Sequence, residues 1–355
     1  MLHPWRRLAP VLLACASALL VPARPADACG MFYSAAKKLP PESQPSLARE
    51  KVLIVHDAAR GREHFIREVA FRRADHSFGF VVPTPALPEV ATVADNPFTR
   101  LRERFPFAPP PPPVDQDRGY SRGAGAGFGG RGDVVKVLAV EKVGSFTAFT
   151  LAATDAGALA RWLADNGLTS TPDADVWLEH YVRLGFYYVA MRYTPPPDVD
   201  TREAVGPVAA ETVRISFDTP VAYYPYFEPE PQHSPKSARL LELWYVGADP
   251  VVPVARLADP AQPAAPPRWV RPLRAGEHTR DARAVLTSAL PKQLAKLLPA
   301  GALTVQTFQD QKRRRSGFHD ILFAFADARA LTPAQQTALD PLLAALDPSL
   351  TPEPR

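Results

Sequence analysis

The chain has 355 residues, a formal net charge of +4, 41 prolines and two cysteines, a length that carries one large domain or two ordinary ones with buried cores. Half of the positive excess falls within the first 28 residues, where Arg6, Arg7 and Arg24 stand against Asp27; the one basic run, Lys312-Arg313-Arg314-Arg315, has no interleaved aromatics, so nucleic acid is excluded as a partner. Cys15 and Cys29 are the two cysteines, and with Cys15 inside the leader neither an intramolecular disulfide nor a thiolate metal cluster is open to the mature chain.

Trp5-Arg6-Arg7 is a short positive segment, Leu8 to Val21 an apolar one, and Ala26-Asp27-Ala28 the small-x-small pattern read by a signal peptidase. The apolar tract is shorter than the roughly 20 residues of a membrane span, and no later segment qualifies as one. The expectation is a signal peptide over residues 1–28 cut between Ala28 and Cys29, and delivery to the periplasm, outer envelope or exterior. Three readings of Cys29 stand side by side: an ordered N-terminal residue, an acylated anchor, and a reactive or intermolecular thiol. For acylation Asp27 and Ala26 are poor neighbours, and Leu12-Leu13-Ala14-Cys15 fits a lipoprotein box better but truncates the apolar tract.

Beyond the leader the periodicity is mostly two. Lys51 to Asp57 and Phe65 to Arg72 read as a hairpin with a buried face, and Ser77 to Val82 as a strand stopped by Pro83-Thr84-Pro85. Residues 106–133, with Pro109 to Pro113 and a glycine-rich half, read as stiff polyproline followed by flexible coil. A second hairpin, Asp133 to Val143 with Phe146 to Ala152, turns at Gly144-Ser145. Two helices follow: Asp155 to Asn166, capped by Thr154/Asp155 and closed by Gly167, and Asp175 to Leu184, with Trp177, Tyr181 and Leu184 on one face. Strands resume over Phe186 to Tyr193, Glu211 to Phe217 and Arg239 to Val246. The last third is expected to hold a helix over Thr279 to Leu298, broken at Pro291, strands near Leu303 to Phe308 and Ile321 to Phe325, and a terminal helix from Pro333.

Strands in runs with a segregated helical pair predict an α+β fold: a mainly antiparallel sheet body and a C-terminal helical portion. The expected divisions are residues 29–105 (β-rich), 106–133 (loop), 134–258 (α+β, same domain), 259–276 (proline-rich linker), 277–346 (C-terminal α/β portion) and 347–355 (tail).

Four stretches together resemble a bacterial exported family known as domain of unknown function 2330. They are Ala28-Cys29-Gly30 with Phe32; the hairpin EKVLIVHD…FIREVAF followed by FGFVVPTPALPEV; KVLAVEKVGSFTAFTLAATDAGALARWLADNG; and VWLEHYVRLGFYYVAMRY followed by RISFDTPVAYYP. The resemblance spans roughly residues 28–250, implies an envelope or secreted location and brings no activity. In the family a second cysteine commonly follows the first, near Phe32-Tyr33-Ser34, and this chain has none there, so a short N-terminal disulfide is not available to Cys29.

Local chemical motifs are weak. Gly127-Phe128-Gly129-Gly130-Arg131-Gly132 spells G-x-G-x-x-G but lacks the strand before and helix after it that would present a pyrophosphate, and Arg131-Gly132-Asp133 is a chance-level adhesion tripeptide. His56, His64, His76, His180, His233, His278 and His319 contain no ligand pair at metal spacing. His56-Asp57 and His319-Asp320 read as polar strand ends, since neighbours on a strand point to opposite faces. Ser145 and Ser216 have no base nearby in sequence. No catalytic residue, cofactor or metal is assigned.

The aromatic run Tyr223, Tyr224, Tyr226 and Phe227 has two readings, packing of a strand-to-loop corner or a surface stacking on an envelope glycan or a proline-rich protein segment. The expectation is an exported protein with a non-enzymatic binding or scaffolding role. One alternative is an extracytoplasmic hydrolase assembled from distant residues such as His56, His180, Asp218 and His319; another is a lipid-anchored accessory protein held through Cys29.

Overall fold

The computed structural model describes residues 31–33, 46–72, 77–109, 135–169, 172–194, 207–228, 240–257, 268–311 and 319–325. The signal peptide expected over residues 1–28, with Ala28 and Cys29 at its cut, the glycine-rich and Arg131-Gly132-Asp133 stretches, the basic run at 312–315 and the terminal helix expected from Pro333 lie outside them.

In chain order the elements are β1 (Met31–Tyr33), β2 (Ser46–Asp57), β3 (Arg62–Arg72), β4 (Phe78–Thr84), β5 (Glu89–Thr92), α1 (Phe98–Arg104), β6 (Val135–Val143), β7 (Phe146–Ala153), α2 (Ala156–Asp165), α3 (Pro172–Arg183), β8 (Tyr187–Tyr193), β9 (Val208–Ala209), β10 (Val213–Asp218), β11 (Ala222–Tyr224), β12 (Leu240–Gly247), β13 (Val251–Leu257), β14 (Arg268–Val270), β15 (Arg274–Thr279), α4 (Arg283–Ala289), α5 (Lys292–Ala295), β16 (Thr304–Asp310) and β17 (Ile321–Phe325). Among the described residues they form a sheet-dominated α+β structure of three sheets. The central one runs β15-β16-β12-β2-β3-β10-β5 with β9 beside β3; a second runs β1-β4-β8-β7-β6, and a third β11-β17-β13-β14. Among the described residues every ladder is antiparallel except β12 on β2, where Leu53 lies opposite Trp244.

The centre of the molecule is β2, whose unbroken apolar run is buried on both faces. Val52 and Ile54 join the large core with the other two sheets, while Leu53 and Val55 join a second core under α1, α4 and α5. A strand covered on both sides has no polar face to alternate, which is why KVLIVHD reads as continuous hydrophobicity. The β6–β7 turn needs a left-handed residue at Gly144 (φ +55°). Helix α2 begins where Asp155 accepts the Ala158 amide at 2.7 Å and ends before Gly167 at φ +83°.

Three expectations change. Strand β4 continues through Pro83, which lies opposite Tyr188; β1 reaches only Phe80, so beyond it β4 has, among the described residues, a strand on one side alone, where a sheet tolerates proline. The helix expected over Thr279 to Leu298 is a strand, β15, as far as Thr279, and then two short helices. Asp281 at φ +52° turns the chain between strand and helix, and Pro291 separates α4 from α5. Part of the expected 259–276 linker is strand as well, in β14 and the start of β15. Beyond α4 and α5 no C-terminal helix occurs among the described residues, and none of the described helices is long and apolar enough to cross a membrane.

Candidate functional site

The tyrosine run closes a corner of the core. Tyr223, Tyr224 and Tyr226 are fully buried, so no ring face is offered to a glycan or proline ligand; Phe227 alone is partly exposed. The physical reason is Asp320, buried just before β17. Its Oδ1 accepts the Tyr226 and Phe227 amides at 2.7 and 2.8 Å, and its Oδ2 accepts the Tyr181 and Tyr223 hydroxyls at 2.8 and 2.7 Å. Burial raises this carboxyl to about 6, against the four donors that favour its charge. His180 and His319 flank the corner with ring centroids 6.1 Å apart, each beside Phe227. Two of the histidines named for a dispersed site therefore converge. The adjoining carboxylate spends both oxygens holding α3, β11 and the loop after it together.

The other two do not join them. His56 Nε2 contacts the Thr219 carbonyl at 3.1 Å, and Asp218 is paired with Arg62 at 2.8 Å. Ser145 has a carboxylate partner, Glu211, at 3.0 Å.

Ser216 has the base that its sequence neighbourhood lacks. It lies opposite His64 in the β10–β3 ladder, with Oγ 2.8 Å from His64 Nδ1. Burial and the nearby Arg214 and Arg62 lower this imidazole to about 4, so it is neutral at physiological pH. Ser216 is itself only 1% exposed, a poor position for a nucleophile. Among the described residues no three His, Cys, Asp and Glu side chains are grouped as a metal site requires.

The open part of the molecule is β6. It ends the second sheet, pairing only with β7 among the described residues, and Lys136 to Lys142 are all exposed in succession. Val137, Leu138 and Val140 are 45%, 44% and 55% exposed. A free edge presents unpaired amides and carbonyls, and apolar side chains along it make it a template for another strand. Register against β7 shows one extra residue: Val137 lies opposite Leu151 and Ala139 opposite Thr150, so Leu138 is bulged out.

The fold and this edge define a sheet-dominated α+β protein with an open strand. The chain belongs to the family DUF2330, described as an uncharacterised protein conserved in bacteria, whose profile matches residues 24–242. No curated protein matches it. Among solved structures, that of baculovirus P35 is similar at 8% identity over 79% of this chain and 98% of that one, with a TM-score of 0.33, too loose a likeness to carry an argument.

Proposed function

We propose that this is an exported envelope or secreted protein with a non-enzymatic binding or scaffolding role, acting through the edge of β6. The observation that carries the binding reading is the run of seven exposed residues, Lys136 to Lys142, on an edge that pairs with no second strand among the described residues. Strand addition gives affinity through main-chain hydrogen bonds, and here Val137, Leu138 and Val140 add apolar contact. Export rests on the Trp5–Arg7, Leu8–Val21 and Ala26–Ala28 leader.

Two measurements test this. Cell fractionation with intact-mass analysis is expected to give an extracytoplasmic chain beginning at an unmodified Cys29. A full-length cytoplasmic chain overturns export, and an acylated Cys29 replaces the role with that of a lipid-anchored accessory protein. Amide exchange at high dilution is expected to be fast at the outward-facing amides of β6, and protection there overturns the open edge.

A hydrolase reading has one contact in its favour, His64 Nδ1 on Ser216 Oγ at 2.8 Å. A fluorophosphonate probe is expected not to label the protein; labelling that Ser216→Ala abolishes would install the hydrolase instead.

A further inference from the structure

We infer that the strand added to β6 is β6 of a second copy of this chain, antiparallel to the first about a two-fold axis passing between Leu138 and Ala139. The inference rests on the reading of β6 as an open binding edge and names its occupant. In a two-fold interface each contact occurs twice, so the strand must be complementary to itself when reversed.

The bulge makes it so. Lys136 lies opposite Ala152 and Glu141 opposite Ala148, alternate positions of β7 on one face of the sheet. Val137 lies opposite Leu151 and Val140 opposite Phe149 on the other face, where Phe149 packs on Trp162 of α2 with ring centroids 5.3 Å apart. In an unbroken strand, residues three or five apart point to opposite faces. The extra residue at Leu138 brings each of these pairs to the same face.

Residues directly opposed across an antiparallel ladder share a face, and opposite charges there stabilise it. With the axis between Leu138 and Ala139, Lys136 of one copy meets Glu141 of the other, twice, and Val137 meets Val140, twice. Moving the axis onto Ala139 sets Lys136 against Lys142 and Val137 against Glu141. Moving it onto Leu138 sets Lys136 against Val140. Charge and apolar matching thus select one register, and it joins the two five-stranded sheets into one. Among the described residues the other exposed large apolar side chains, Leu87, Val176 and Val285, are scattered singly and offer no comparable surface.

The test is sedimentation of the mature chain over a micromolar dilution series, with Lys136→Glu, Glu141→Lys and the double reversal. Both positions are exposed, and circular dichroism checks that the fold is retained. The expected result is a dimer whose dissociation constant rises at least tenfold in each single variant and returns in the double. A wild-type dimer indifferent to the single reversals overturns the register. A wild-type monomer overturns the second copy. Amide exchange then separates the two ideas: a monomer with unprotected β6 amides leaves the open-edge reading standing, and one with protected amides shows the edge covered from within its own chain and removes both.

Discussion

The hydroxyls of Tyr181 on α3 and Tyr223 on β11 converge on one buried atom, Asp320 Oδ2, at 2.8 and 2.7 Å. With the Tyr226 and Phe227 amides on Oδ1, four donors depend on one carboxylate. Asp320→Ala strands them all, and unpaired buried donors cost about 1–3 kcal/mol each before relaxation; a loss of at least about 3 kcal/mol in urea unfolding is expected. Asp320→Asn keeps an oxygen for the two amides and turns its amide group toward hydroxyls that can rotate to accept, so a loss near 1 kcal/mol is expected.

Asp320 and His64 give opposite signs of pH dependence. The Asp320 carboxyl, raised from 3.8 to about 6, binds its proton more tightly folded than unfolded. Its contribution is complete below about 3.8 and is lost as pH rises through about 6, an effect of about 3 kcal/mol. His64, lowered from 6.5 to about 4, contributes above 6.5 and loses that contribution as pH falls toward 4. Thermal midpoints between pH 4 and 6.5 are expected to fall more steeply on acidification in Asp320→Asn, and less steeply in His64→Gln, than in the parent.

Glu63 is fully buried and accepts the Tyr223 amide through Oε2 at 2.7 Å. Its other oxygen has no hydrogen-bond partner among the described residues, and burial raises the carboxyl well above its ordinary value. Keeping it protonated costs stability as pH rises above the unfolded value. Glu63→Gln keeps the acceptor without that cost, so a gain in stability at pH 7 is expected in urea unfolding, shrinking as the pH is lowered toward the unfolded value.

Arg67 and Glu50 form an ion pair at 2.7 Å with side chains 5% and 2% exposed. The guanidinium also lies 4.7 Å from the centre of the Phe80 ring. Arg67→Met leaves a buried, uncompensated carboxylate, and a loss of about 3–5 kcal/mol is expected. Adding Glu50→Leu should recover most of it; a double variant as weak as the single would mean that the pair does not act as a unit.

The elements that the sequence reveals are those whose pattern is local. The apolar run of β2, the Asp155 cap and Gly167 end of α2, and the Gly144 turn each follow from a few adjacent residues. The chemistry that matters lies between strands far apart in the chain. His64 and Ser216 meet because β10 pairs with β3 in one register, and no spacing rule links them. Asp320 looks like a polar strand end until Tyr181 and Tyr223 are seen to arrive from α3 and β11. The bulge at Leu138 is equally silent: Val137-Leu138-Ala139-Val140 reads as a plain apolar strand, and only pairing with β7 shows which residues share a face.

The parallel ladder of β12 on β2 sets the order of assembly. β2 meets β3 through a short turn, but its other neighbour is made only after most of the chain, and β16, which pairs next to β12, later still. The hydrophobic centre therefore cannot close during the greater part of synthesis, and contacts so distant in sequence form slowly. The five-stranded sheet is complete by Tyr193, so it is available as a partner long before β12 arrives to close the other side of β2.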